Sequence, residues 1–373
     1  MKIEKKIFQV SSLLILSLTI LTTSCNDDSK NVSDKFEIRT GVNVSHWLSQ
    51  SIKRGEERKN YITEADFDTI AAVRFDHMRL PIDEVQLWDS LGNKETEAFQ
   101  LMHNAINWAI KNNLRVIVDL HIIRSHYFLN ESNALWTNPA EQEKIVNLWL
   151  QLSEELVKYP INMVAYEILN EAVAKDPEDW NKLIDKVITA IRENEPSRKI
   201  VVGSNMWQIP GTFADLKIPE NDTNIILSFH FYTPMTLTHH RAPWNALYEY
   251  EGPVNYPGQI VDTSYYEELS DFVVAEMRRY ANGYFTKDTL EKVMLPAIQY
   301  AKEKNLPLLC GEFGVYPTIP EEIMLRWYKD VCEIFNKNNI AYSHWCYKGD
   351  FPVVGENSEP NKKLVSILVS DNN

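Results

Sequence analysis

Cysteine is scarce in this chain: only Cys25, Cys310, Cys332 and Cys346 occur in 373 residues. No two of them form a Cys-x-x-Cys pair, so neither a zinc ribbon nor a dithiol redox motif is indicated. The last three are an odd number, which argues against a disulfide framework, and they read as small buried hydrophobes. A glycine-rich phosphate turn is also missing. Gly41 is followed by Val42-Asn43-Val44 with no second or third glycine, which argues against a dinucleotide-binding, doubly wound sheet. There is no P-loop, no His-x-His and no His-Glu-x-x-His. Repeats, low-complexity tracts and linkers are absent after residue 35, so a single domain is expected. Positive charge is in deficit: 38 Lys and Arg face 52 Asp and Glu, a net charge of −14. Such a surface repels phosphate backbones, so no nucleic-acid partner is expected and a neutral substrate suits it.

Aromatics, by contrast, are plentiful, with ten Trp and seventeen Tyr. Most of them belong in a core, yet apolar ring faces also stack on sugars. The N-terminus is a targeting segment. Lys2, Lys5 and Lys6 precede a largely apolar run from residue 7 to residue 21, shorter than the ~20 residues a membrane-spanning helix needs. The run Leu21-Thr22-Thr23-Ser24-Cys25 resembles a bacterial lipoprotein box, which implies lipidation of Cys25. The expected organisation is a signal peptide at 1–24, a polar tether at 25–35 and a catalytic domain at 36–373. The implied location is the outer membrane, at the cell surface or the periplasmic face, reached through a lipid anchor. A monomer is expected.

Eight apolar, β-rich runs alternate with amphipathic stretches of helical period. The strand candidates are 38–47, 75–82, 114–121, 162–171, 199–205, 224–232, 306–314 and 341–347. Helix candidates are 64–73, 95–112, 139–158, 178–194, 287–304 and 320–338. Pro139 and Pro320 sit where a helix start tolerates proline. Eight strands with intervening helices predict an α/β fold, a (β/α)8 TIM barrel, whose chemistry sits at the C-terminal strand ends.

Polar and aromatic residues gather at those predicted ends: Asn43, His46 and Trp47, then Arg79, Asp119 and His121, Asn170 and Glu171, Asn205 and Trp207, His230 and Tyr232, Glu312, and Trp345. One such residue is ordinarily a satisfied polar group. Eight successive strands delivering them to one end is harder to ascribe to packing. Two glutamates stand out, Glu171 on strand four and Glu312 on strand seven, strands expected to face each other across the barrel. A retaining glycosidase needs two carboxyl groups ~5–5.5 Å apart.

The motifs around them carry a resemblance. Ala165-Tyr166-Glu167-Ile168-Leu169-Asn170-Glu171 resembles the Asn-Glu signature of glycoside hydrolase family 5, the cellulase family, and Cys310-Gly311-Glu312-Phe313-Gly314 its nucleophile strand. His77-Met78-Arg79-Leu80-Pro81, Val118-Asp119-Leu120-His121, His230-Phe231-Tyr232 and the late Trp345 match the same family in order and spacing. The resemblance implies retaining hydrolysis of β-linked glucan, mannan or a related plant polysaccharide, without a cofactor. It implies Glu171 as acid and then base, and Glu312 as nucleophile. Arg79 and Tyr232 would orient Glu312, and Asn170 would meet the sugar 2-hydroxyl. His121 and His230 would bind hydroxyls or support the carboxylates, and Trp345 would form a sugar-stacking floor. His46 and Trp207 complete the expected substrate-binding set.

Glu167, four residues before Glu171, is read as a buried structural carboxylate. Two His and two Glu raise a zinc alternative, which Arg79 in the same site opposes, so no metal is expected. The segment 233–286 is 54 residues long, far beyond an ordinary βα loop, and holds His239, His240, Trp244, Tyr248, Tyr250, Tyr256, Tyr265 and Tyr266. It is expected to wall one end of a cleft, or else to cap the barrel. The loop after strand three, with His126, Tyr127, Phe128 and Trp136, is a second candidate wall. A non-catalytic, glycan-binding surface lipoprotein on the same barrel is the rival reading.

Overall fold

A computed structural model describes residues 35–280, 283–355 and 358–370. The targeting segment, Cys25 and all but the last residue of the tether lie outside the described residues. Among the described residues no helix is long and apolar enough to cross a membrane.

All eight predicted strands form. They are β1 Thr40–Asn43, β2 His77–Asp83, β3 Arg115–Ile122, β4 Val164–Glu167, β5 Ile200–Gly203, β6 Ile225–Phe231, β7 Leu308–Phe313 and β8 Ala341–His344. They pair in parallel in sequence order and close into a barrel, β8 against β1. The six predicted helices follow as α1 Glu64–Ala72, α2 Thr96–Lys111, α3 Pro139–Leu156, α4 Pro177–Asn194, α5 Lys287–Lys304 and α6 Glu321–Lys337. Asn138 caps α3 and Asp176 caps α4, each accepting from a backbone N–H and each followed by proline at the first helical position. Pro320 sits one residue outside α6.

Side-chain alternation sorts the barrel into layers. Ile117, Ala165, Val201, Ile226 and Leu309 pack together inside it, with Phe36 against them. Two residues further along, the same alternation delivers Asp119, Glu167 and Ser228, all fully buried. The outer faces of the strands pack on the helices. Trp149 of α3 donates its indole N–H to Ile168 O at 2.8 Å, and Trp180 of α4 donates to Gly203 O at 3.0 Å. Trp47 belongs to this structural group: it is fully buried and donates to Arg58 O at 2.7 Å.

A buried ion pair locks α3, β4 and the turn before β5 together. Glu195 accepts from Arg198 Nε at 2.7 Å, Ser153 Oγ at 2.6 Å and Tyr166 OH at 2.8 Å. Arg198 also donates to the carbonyls of Val164 at 2.9 Å and Tyr159 at 3.1 Å. Removing the acid strands a buried guanidinium. Glu195→Ala is therefore expected to cost about 3–5 kcal/mol in urea unfolding, with turnover per folded molecule retained. A loss below about 1 kcal/mol would show that water reaches this pair.

Candidate active site

Arg79 is the centre of the upper layer. It is fully buried, and its guanidinium meets three carboxylates: Glu167 (Nε 2.6 Å, Nη2 3.0 Å), Asp119 (3.0 Å) and Glu312 (Nη1 2.7 Å). Nη1 also donates to Asn43 Oδ1 at 3.0 Å, and Nη2 to Asn170 Oδ1 at 2.8 Å. Burial works against its charge, but Asp119, Glu167 and Glu312 outweigh burial and hold it well above its ordinary pKa. The sequence pattern assigned Arg79 to Glu312 alone. Glu167 is its closest partner, fully buried as expected, and Gln208 Nε2 lies 3.2 Å from the same carboxylate.

Glu312 reaches the site through an irregularity. Gly311 already faces inward, where a Cβ would lie 2.9 Å from Ser228 Oγ and 3.1 Å from His230 Nε2, so no larger residue fits. A register shift in the β6–β7 ladder then sets Glu312 opposite His230. Its other carboxylate oxygen accepts from Tyr232 OH at 3.1 Å.

Glu171 arrives differently from what strand periodicity suggests. Strand β4 stops at Glu167, so Asn170 and Glu171 lie beyond it rather than closing it. Glu171 adopts φ 45°, an uncommon conformation for a residue with a side chain. Nor do β4 and β7 face each other across the barrel, because only β5 and β6 separate them. His230 Nδ1 lies 2.8 Å from Glu171 Oε1 and 3.7 Å from Glu312 Oε2, so it serves Glu171 first. A carboxylate oxygen of each glutamate and a His230 nitrogen all lie within 4.8 Å of one another. Those three atoms could in principle ligate a cation, yet the Arg79 guanidinium bound to Glu312 sets a fixed positive charge against one.

The two glutamates are electrostatically unequal. Burial, and then the charge of Glu312, push Glu171 well above the usual carboxyl range. Burial raises Glu312 too, but there Arg79 pulls the other way. The pair therefore favours a proton on Glu171 and a charge on Glu312, the assignment that acid catalysis beside a nucleophile requires. Burial depresses His230 far below its ordinary value, so its ring is neutral.

The expected binding residues divide. Asp119 Oδ2 holds His121 Nδ1 at 2.7 Å, and burial brings the His121 pKa down to about 3. The His121 ring stacks on Trp345 at 5.5 Å with 10° between planes. His121 Nε2 and Asn170 Nδ2 have no hydrogen-bond partner among the described residues. His46, in the loop after β1, stands edge-on to Trp345 at 6.0 Å. Gly349 faces it with φ 125°, where a Cβ would lie 2.2 Å from the imidazole. Trp207 is outside the Arg79 cluster, on the rim. Met206, Trp207 and Gln208 all have positive φ, and the Trp207 indole donates to Phe128 O at 2.9 Å while its ring stays partly exposed.

Sequence reasoning noted Asn43 and Asp119 at strand ends but gave them no role. Asn43 both accepts from Arg79 and donates to Gly311 O at 2.9 Å. Period-two alternation from Ile117 through Asp119 to His121 was the available signal. Gln208 carried none, because its contact depends on the left-handed turn. Phe351 was missed as well. It lies 5.9 Å from Tyr232 and joins His239, Trp244 and Tyr316 in one aromatic group beside the site. His239 and Trp244 come from the long insertion, which is anchored by Tyr316 N–H to Thr238 O, Trp327 Nε1 to Thr233 O and Tyr256 OH to Asp330. The insertion thus borders Tyr232 and also packs on α6.

The sequence profile of a family described as Cellulase (glycosyl hydrolase family 5) matches residues 34–350. The chain is 31% identical over 342 residues to endoglucanase C of Acetivibrio thermocellus, covering 88% of this chain and 97% of that protein. It is 26% identical to cellodextrinase A of Ruminococcus flavefaciens, over 81% of this chain and 83% of that one. Among solved structures, a hyperthermophilic endo-β-1,4-glucanase in complex with substrate superposes with TM-score 0.72 at 23% identity, covering 91% and 99% of the two chains.

Electrostatic coupling between the glutamates is directly testable. In Glu312→Gln the neighbouring charge is gone, so the Glu171 pKa should fall, yet stay above the ordinary value because burial persists. A titration followed by 13C NMR of labelled glutamate reads this. An unmoved Glu171 would show that the two carboxyls do not sense each other.

Proposed function

The chain belongs to the cellulase family, glycosyl hydrolase family 5, and from that premise we propose that it cleaves β-linked glucan chains with retention of anomeric configuration. One observation carries the reading: two carboxyl groups with oxygens within 4.8 Å, one of them bound to a buried guanidinium. That closeness, with the guanidinium holding Glu312 ionised, suits a nucleophile and an acid working on one glycosidic bond.

Glu312, ionised and held by Arg79 and Tyr232, attacks the anomeric carbon. Glu171 gives its proton to the departing glycosidic oxygen, so the aglycone leaves as a neutral alcohol. The glycosyl ester on Glu312 is then opened by water. Glu171, now ionised and near His230, takes that water's proton, and both carboxyls return to their starting states. Asn170 is held by Arg79 through its Oδ1, which leaves Nδ2 as a donor for a sugar hydroxyl. His121, fixed by Asp119, offers Nε2 in the same way. Activity falls as pH rises through the pKa of Glu171, since only its protonated form can act as acid.

Glucan is the first substrate to test because the relatives named above are endoglucanases and a cellodextrinase. Mannan and related β-linked plant polysaccharides belong on the same panel. A non-catalytic glycan-binding protein would have no use for a coupled carboxyl pair with its own guanidinium. The aromatic edge of the insertion beside Tyr232 supports a cleft walled at that end, and so release of short products. The decisive experiment follows hydrolysis of cello-oligosaccharides and the polysaccharide panel by 1H NMR and product analysis. The first-formed anomer should be β, with short oligosaccharides present from the start. Glycan binding without release of sugar, or an initial α-anomer, would overturn the reading. A rapid viscosity drop with long random fragments would remove the walled cleft alone.

The sequence around Cys25 supports lipid anchoring at the outer membrane. Cys25→Ala should move the protein from the membrane fraction to the soluble fraction with unchanged specific activity. Retention in the membrane fraction would show another anchor.

A further inference from the structure

Glu171 stands on a turn that its own strand does not support. β4 ends at Glu167, and Glu171 at φ 45° opens an irregular stretch of chain. A residue with a side chain keeps such a conformation only where its surroundings over-determine it. The three residues that follow, Ala172 to Ala174, are held from both sides by the loops after β3 and β5.

On the β5 side, Asn205 makes a two-way contact with Ala174. Its Oδ1 accepts the Ala174 N–H at 2.9 Å, and its Nδ2 donates to the Ala174 carbonyl at 2.8 Å. The side-chain amide thereby takes the place of a strand partner. The Trp207 N–H donates to Ala172 O at 3.3 Å. Asn205 is itself fixed, because Thr212 Oγ1 donates to its carbonyl at 2.7 Å. On the β3 side, His126 is 1% exposed, and its Nε2 accepts the Val173 N–H at 3.3 Å. Two backbone hydrogen bonds to Ile123, of 3.0 and 3.2 Å, set the loop that carries it. Its ring stands edge-on to Trp136 at 5.3 Å.

Packing alone does not explain the histidine. Burial brings the His126 pKa down to about 4, so the ring is neutral and carries one hydrogen. With Nε2 accepting, that hydrogen sits on Nδ1, which is buried and has no hydrogen-bond partner among the described residues. An apolar ring would fill the space without the cost of a stranded donor. What the histidine adds is the lone pair aimed at Val173.

The groups held in this way lie one to three residues after the acid. Neither side chain hydrogen-bonds the Glu171 carboxyl, whose partner among the described residues is His230. That carboxyl must meet the departing oxygen and later a water, and a misplacement of about 1 Å can cost about a hundredfold in rate. We propose that Asn205 and His126 are positioning residues for Glu171, clamping the backbone of Ala172 to Ala174 so that the left-handed turn delivers the carboxyl to the glycosidic oxygen. This rests on the proposed glycosidase reading. The clamp acts on proton transfer, and leaves Glu312 and its guanidinium untouched.

The test separates substrates by their need for a proton. Cellotetraose has a poor leaving group, so Glu171 must protonate its glycosidic oxygen as the bond to the anomeric carbon breaks. 2,4-Dinitrophenyl β-cellobioside expels a stable phenolate, so Glu312 displaces it without that proton. For both substrates kcat/KM reads the steps up to the glycosyl-enzyme. In Asn205→Ala and His126→Phe, kcat/KM for cellotetraose should fall about tenfold or more, and for the aryl glycoside about twofold at most. Azide should then raise kcat on the aryl glycoside and yield β-cellobiosyl azide. Its nitrogen bonds to the anomeric carbon while the ester bond to Glu312 breaks, and the carboxylate departs with the electron pair, so no base is needed. A merely structural role would lower both substrates alike and leave their ratio at the wild-type value. An unchanged ratio in His126→Phe, and in Asn205→Ala wherever that variant folds, overturns the clamp. Glu171→Ala is the reference and should show the same pattern more strongly. A wild type that cleaves neither substrate, or a Glu171→Ala without the pattern, would instead overturn the glycosidase reading.

Discussion

A single guanidinium buried among three carboxylates is the constraint on which the upper half of this barrel depends. Arg79 touches Asp119 on β3, Glu167 on β4 and Glu312 on β7, and Asn43 on β1. One side chain from β2 therefore ties four other strands together. Four formal charges inside a protein are expensive to desolvate, and their mutual attraction offsets that cost only when the geometry is good. Burial pushes Asp119 up to about 7 despite Arg79, and Glu167 is raised for the same reason. The cluster can thus hold a proton as well as a cation, which relieves part of the excess negative charge.

The cost is concentrated at one end of the barrel. The lower layer of Ile117, Ala165, Val201, Ile226 and Leu309 is apolar and regular. The upper end carries residues with side chains at positive φ: His46, Gln50, Glu171, Met206, Trp207 and Gln208. Such conformations persist only where surrounding structure over-determines them. The helices supply that support, through Trp149 and Trp180 clasping carbonyls just past β4 and at the last residue of β5. Stability and chemistry are thereby divided along the barrel axis, as the fold generally allows.

How much of this was legible in the sequence follows from what each feature obeys. Strands and helices obey periodicity, so the eight barrel strands and six of the helices were visible, while the helices Gly55–Tyr61, Asp271–Tyr280 and Lys362–Leu368 were not among those expected. Glu312 lies inside β7, where a ladder irregularity turns it inward, and its neighbours identified it without that detail. Glu171 was found because Asn170 precedes it, yet the strand it was placed on ends four residues earlier. A left-handed residue is not announced by glycine there, so the sequence offers no sign of the turn. Arg79 was assigned one partner where it has three carboxylates, because strand alternation says which side chains point inward but not how far a guanidinium reaches. Gln208, Phe351 and the aromatic edge of the insertion depend on loop conformation, which no period encodes.

The arrangement separates what must stay fixed from what can vary. Moving any member of the Arg79 cluster leaves a buried charge uncompensated, so reaction type is tied to the stability of the barrel. The rim is under no such tie. Asp83 and Gln50 contact each other rather than Arg79, and Trp207 and Trp244 are partly exposed. A change there leaves the counter-charge of Glu312 in place. A family built this way can keep one double-displacement centre while its members differ in the glycan they take.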